Sequence, residues 1–284
     1  MGMQRSRIAI SRLAVLVAIL ATACGCNLFR FALVSPEHDA PVQGPAPLPH
    51  KYQQKVEQFV LISDFEFVDP PLFKELRKLH KDVNDELKLP SARTANPILV
   101  YLFEDRDHYE RFMHSRYPDL PMRRAFFVAQ PRGVGGGDDL LVYTFLGDHL
   151  RQDLRHELTH AMLHSVLKDV PLWLDEGLAE YFELPPEARG VNRAHLALIR
   201  RDGLQPDMTR LEQLSQVQQM NPAEYREAWS WVHLMLHGTP EARQVLLAYL
   251  KQLRTTATPG PLMPRLKTCY PDLNDALRGH LARL

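Results

Sequence analysis

The stretch His156-Glu157-Leu158-Thr159-His160 constrains this chain more than any other. It lies in an apolar, helix-like pattern that includes Leu154 and Leu158. On a helix, residues four apart lie about 40° apart around the axis and about 6 Å apart along it. His156 and His160 can therefore aim two imidazoles at one ion. Glu157 is turned about 100° from His156, beside the ion, where a general base for an activated water is needed. Two histidines and a water leave a tetrahedral zinc one ligand short. A second element must supply that ligand. His164 continues the four-residue series, but it lies about 12 Å along the axis from His156, too far to share an ion held by bonds of about 2.1 Å. It reads as a flanking or core histidine. The longer H-E-x-x-H-x-x-G-x-x-H arrangement is absent, because Leu163 and Val166 occupy its Gly and third-His positions.

The second element follows at Val170-Pro171-Leu172-Trp173-Leu174-Asp175-Glu176-Gly177-Leu178-Ala179-Glu180-Tyr181-Phe182. Pro171 suits a first helical turn, and Trp173, Leu174, Leu178 and Tyr181 keep helical spacing. Glu176 and Glu180 share one face. Residues 161–170 are enough for the first helix to end and the chain to turn back. Together, His156-Glu157-x-x-His160 and Trp173-Leu174-x-Glu176-Gly177-x-Ala179 resemble the gluzincin metallopeptidases, and more narrowly bacterial lipoproteins with a peptidase MA-like domain. The resemblance covers residues 151–182. It implies one zinc ion per chain held by His156, His160 and Glu176. It also implies that Gly177 and Ala179 permit close helix packing behind the site. Glu180 stands where some gluzincins carry an Asp that hydrogen-bonds a zinc histidine. The linker from His160 to Glu176 is slightly shorter than in aminopeptidase-N-like enzymes, and no G-x-M-E-N motif is present. Exopeptidase specificity is therefore not carried over.

The N-terminus reads as a targeting segment. Arg5, Arg7 and Arg12 form a positive region, Leu13 to Leu20 is apolar, and Ala21-Thr22-Ala23 is a small-residue cleavage site. Cys24 follows, so Leu-Ala-Thr-Ala-Cys resembles a lipobox, with Ala21 where Leu is usual. A lipid on Cys24, secretion after Ala23 and an uncleaved anchor are the options. The expectation is an exported envelope lipoprotein with residues 1–23 as signal peptide. Residues 24–50 carry Pro36, Pro41, Pro45, Pro47 and Pro49 and read as an extended tether. Losing the leader removes three arginines and no acid from a chain with 34 basic and 34 acidic side chains. The remainder is weakly acidic and shows no clustered basic face for nucleic acid. Of three cysteines, two lie at the leader boundary, so no disulfide framework or Cys-rich zinc site can form. Cys269 reads as a buried small residue.

Residues 51–284 form the folded part, split into an α/β portion to residue 150 and a helical portion beyond it. Alternation predicts a strand over Val56–Val68, then a helix from Pro70-Pro71 to Pro90 with Leu72, Phe73, Leu76, Leu79, Val83 and Leu87 inward. A buried strand over 97–103, a helix over Asp105–Tyr117, and strands at 126–129 and 140–144 around a glycine-rich loop at 133–137 follow. That loop joins two strands and lacks a following Lys-Ser/Thr, so it reads as a hairpin tip and not a phosphate cradle. By resemblance, Leu140 to Phe145 is the edge strand that borders the cleft and can pair with an extended peptide. Helices are predicted over Ala188–Arg201, Leu211–Val217, Ala223–Leu236, Glu241–Leu253 and Pro271–Leu284. On the third of these, Tyr225 and His233 are candidates to stabilise an oxyanion.

The fold class expected is α+β and zincin-like, a small mixed sheet with helices followed by a mostly helical C-terminal half. The function expected is zinc-dependent hydrolysis of a peptide or protein substrate, with Glu157 as proton acceptor and donor. A zincin-fold hydrolase of a non-peptide amide and a non-catalytic zinc-stabilised binding protein are the alternatives.

Overall fold

The computed structural model describes residues 47–90, 97–132 and 137–284. The signal peptide, Cys24, nearly all of the tether and most of the glycine-rich loop lie outside them. The chain opens with an antiparallel hairpin, β1 (Tyr52–Val56) and β2 (Phe59–Ser63), turned at Glu57, whose φ of 53° is left-handed. The single strand expected over Val56–Val68 is therefore two shorter ones. β1 was illegible because four of its five side chains are exposed and carry no apolar alternation. Phe65 and Phe67 mimic that alternation but belong to a loop packed on the core, with Phe67 edge-on to Phe73.

Asp69 accepts a hydrogen bond from the Leu72 N–H and so caps α1 (Pro70–Leu87), whose predicted apolar stripe is buried. Next come β3 (Ile98–Phe103), α2 (Arg106–Arg116, capped by Asp105), β4 (Ala125–Pro131) and β5 (Asp138–Phe145). The sheet order is β1-β2-β3-β5-β4. β2, β3 and β5 run parallel, and β1 and β4 are antiparallel edges. This corrects the expectation for Leu140–Phe145. That segment is an interior strand, paired on both sides, and the edge is β4. Two strands joined as a hairpin carry the same apolar signature, so sequence alone does not show which one inserts beside β3.

Side chains alternate across the sheet. Ile98, Val100, Phe127, Leu140 and Val142 face one side, under α1 and the later helices. Phe103, Phe126, Val128, Leu141 and Tyr143 face the other, against Tyr109 and Phe112 of α2. The helical half comprises α3 (Leu150–His164), α4 (Leu172–Phe182), α5 (Arg193–Asp202), α6 (Met208–Leu211), α7 (Pro222–His237), α8 (Pro240–Leu253), α9 (Met263–Leu266) and α10 (Leu273–Ala282). The class is α+β, and one continuous apolar core joins the sheet to these helices. The helix expected from Ala188 starts instead at Arg193, where Asn192 accepts from the His195 N–H. Residues 211–217 form no helix of their own, since only short turns at Met208–Leu211 and Val217–Gln219 occur there. Among the described residues no helix is long and apolar enough to cross a membrane.

Candidate metal centre

α3 and α4 are successive helices joined by a short loop, and their facing sides create the site. Arg151 near the start of α3 binds Asp69 and Glu75, pinning α3 to α1. Arg155, one turn on, is buried and donates to the carbonyls of Glu183 and Leu184 at 3.1 and 2.6 Å. A cation therefore holds the C-terminal end of α4, where helix carbonyls lack partners. On the other side of α4, a Cβ on Gly177 would lie 2.7 Å from the carbonyl oxygen of Ala228. Only glycine lets α7 approach the turn that carries Glu176.

His156, His160 and Glu176 converge as expected. Their Nε2, Nε2 and Oε2 atoms form a triangle: 3.3 Å between the imidazoles, and 3.6 Å from each to the carboxylate. A tetrahedral ion with bonds of about 2.1 Å sets its ligand atoms about 3.4 Å apart. The triangle is buried, with Glu176 at 0% and His160 at 1% exposure.

The outer ring nitrogens decide what the inner ones carry. His156 Nδ1 lies 2.9 Å from Glu183 Oε2, and His160 Nδ1 lies 2.9 Å from Asp175 Oδ2. A carboxylate accepts, so His156 Nδ1 holds a proton and donates it; the Asp175 charge beside His160 Nδ1 favours the proton on that nitrogen too, although the contact is an ion pair outside hydrogen-bond geometry. In a neutral imidazole Nε2 is then a bare lone pair. Two lone pairs thus face a carboxylate. Neither Glu176 oxygen is within hydrogen-bonding distance of a donor, since 3.6 Å is too long. A buried carboxylate without donors is costly, and a cation at the centre of the triangle removes that cost. Asp175, by contrast, is held well below the usual carboxylate range, with His160 and His164 overriding burial. The residues therefore fit a divalent ion with nitrogen and oxygen ligands.

Asp175 and Glu183 were not singled out from sequence. Asp175 directly precedes Glu176 and serves two histidines, because His164 Nε2 is 3.4 Å from the same oxygen. His164 thus touches the site through Asp175 and stays outside the triangle. Glu183 was detectable: it is seven residues after Glu176, about two turns, and so on the same helix face. Its second oxygen accepts from Gln152 Nε2 at 2.9 Å, so both of its oxygens are engaged.

Glu180, expected to orient a zinc histidine, bonds His195 of α5 at 2.9 Å. Its carboxylate, the Glu183 carboxylate and a His156 ring nitrogen offer ligand atoms within 4.8 Å of one another, so it borders the centre. The carboxylate that hydrogen-bonds His156, however, is Glu183. The cause is the kinship of i+4 and i+7 on a helix: both face the same way, and reach decides between them.

Glu157 is buried at 4% exposure. Its charge reaches the hydroxyl of Tyr109, which burial first and Glu157 second hold well above the usual phenol range. Tyr225 is buried on α7, one turn before Ala228 and Trp229, which meet Gly177 and His195. His233 lies two turns farther along α7 and bonds His280 at 2.8 Å. It lines a separate cavity that includes no residue of the triangle. The structure does not bring His233 to the candidate centre; two positions on one helix face can still be about 12 Å apart along it. From the sheet side, the Phe127 ring of β4 stacks on His160, placing the edge strand at the centre's rim. Comparison with protein-family models and with curated proteins yields no match for this chain.

Proposed function

We propose that this chain is a zinc-dependent metallopeptidase of the gluzincin type. The observation that carries the reading is the triangle of His156 Nε2, His160 Nε2 and Glu176 Oε2, with each outer ring nitrogen 2.9 Å from a carboxylate oxygen. His156, His160 and Glu176 would hold the ion. Bound there, zinc supplies Lewis acidity and a hydrolytic water that ionises near neutrality. The other groups act through position. Glu157 follows a ligand in sequence, on the adjoining face of α3, and takes the water's proton for later delivery to the leaving amine. Asp175 and Glu183 fix the tautomer and rotation of the two imidazoles and raise their basicity. Tyr225 remains the candidate to donate a hydrogen bond to the developing oxyanion.

The β4 edge, in place of β5, is the strand to which an extended peptide would add, since Phe127 sets it against His160. Such pairing uses main-chain groups and gives little side-chain selectivity. Metal analysis of the purified chain, followed by digestion of a peptide library with and without chelator, tests the reading. One zinc per chain and chelator-sensitive cleavage at internal or terminal peptide bonds is the expected result. Stoichiometric zinc with no cleavage of any peptide would remove the peptidase assignment and leave the metal site standing.

A further inference from the structure

A second cavity, of about 580 Å³, lies between the C-terminal part of α7, the turn before α5 and α10. That volume is within the range of small-molecule sites. Three histidines form its floor. His233 Nδ1 and His280 Nε2 are 2.8 Å apart, and the His237 ring is 4.6 Å from that of His233. His237 Nε2 is bonded to the Tyr181 hydroxyl at 2.7 Å, and burial keeps that phenol protonated. Burial likewise pushes all three imidazoles down, His233 to about 3 and His280 to about 4. The floor is therefore neutral, with one N–H on each ring. His233 is 2% exposed, and its Nε2 has no hydrogen-bond partner of good geometry, although the Arg189 carbonyl is near.

Above this floor stand Arg189 and Arg283, both exposed. Neither guanidinium has an acidic partner among the described residues. Asp275, the acidic side chain in the wall, is 72% exposed and already bound to Arg278. Leu284 also borders the cavity and pairs with neither arginine. A cation finds no good site here. One nitrogen of each ring is bonded to another ring or to Tyr181, and the two clusters of converging ligand atoms among the described residues both include His156.

We infer that this cavity binds a small anion bearing carboxylate or phosphate groups, gripped between Arg189 and Arg283 and resting on histidine N–H donors. Paired guanidinium groups match such oxyanions in geometry and charge. The cavity is separate from the metal centre, and the inference stands whether or not the chain is a peptidase.

Calorimetric titration of the full chain with inorganic phosphate and, separately, with citrate tests it. Metal-free His156→Ala/His160→Ala protein serves as the parallel sample, so that an anion captured by an ion at the other centre is not counted. Saturable one-to-one binding in both backgrounds is expected, and the tighter arm assigns the headgroup. Replacing Arg189 and Arg283 by Gln should weaken binding by about tenfold or more for each. Circular dichroism would confirm that the variants fold. Absence of saturable binding in both arms overturns the inference, as does undiminished binding by the double Arg variant. Zinc or nickel retained in the cavity by the His156→Ala/His160→Ala protein would overturn it too, by making the floor a cation site.

Discussion

Glu180 and Glu183 differ by three residues, and the choice between them is open to measurement. The Glu183 carboxylate holds the His156 Nδ1–H at 2.9 Å and is itself braced by Gln152, whereas Glu180 bonds His195. Glu183→Gln keeps the size of the side chain and removes its charge. The amide must then present its oxygen to His156 and its NH2 to Gln152, which already donates from that side. His156 loses a charged acceptor and with it some basicity and rotational restraint. Such outer partners are worth about 10–100-fold in metal affinity, or about 1.4–2.7 kcal/mol. Glu180→Gln removes charge near the centre but leaves the His156 contact intact, so a change of about threefold or less is expected, or well under 1 kcal/mol. Competition for zinc against a fluorescent chelator at neutral pH reads both, with circular dichroism as a control for folding. A loss at Glu180 equal to or greater than that at Glu183 would refute the reasoning and restore Glu180 to the role read from sequence.

Three further outcomes are expected. Glu157→Gln should retain zinc and lose about 10²–10⁴-fold in peptide hydrolysis, and full activity in that variant would dispose of Glu157 as the base. Gly177→Ala must fit a methyl 2.7 Å from the Ala228 carbonyl oxygen and 2.9 Å from Val232 Cγ2. Urea denaturation should show a loss of about 1–3 kcal/mol, with unchanged stability meaning that α4 and α7 are not so closely packed. The depressed pKa values of His233 and His280, from 6.5 to about 3 and about 4, mean that the folded state resists their protonation. Their contribution to stability is complete above the unfolded value of 6.5 and is lost as pH falls from there towards the folded values. At one unit below the unfolded value the loss is about 1–2 kcal/mol per histidine. A His233→Gln/His280→Gln protein should therefore lose less stability on acidification than the parent, and parallel curves would contradict this.

The converging triangle was legible in the sequence, and its supports were not. His156, His160 and Glu176 were legible because helical geometry relates spacing to direction, and the two helices are neighbours in the chain. Capped and Pro-led helices such as α1, α2, α7 and α8 were legible within a residue or two for the same local reasons. Asp175 and Glu183 were missed because a hydrogen bond between helices depends on their relative rotation, which packing sets. Glu180 and His233 went astray in the same manner: a helix face is a direction, and the sequence does not fix what stands opposite. The strand order was hidden because β4 and β5 carry similar apolar patterns, and interior or edge status is decided by which one meets β3.

The two helices that supply His156, His160 and Glu176 form a hairpin local in the chain, while α7, which presses against Gly177, arrives some forty residues later. Contacts between close neighbours in sequence form sooner than distant ones. A growing chain would thus possess its three converging side chains before the helix that locks α4 has been made, and on the proposed zinc reading ion uptake can precede completion of the core. Pulse-labelled hydrogen exchange during refolding should then show zinc protecting α3 and α4 ahead of α7, and simultaneous protection of all three would place chelation at the end of folding.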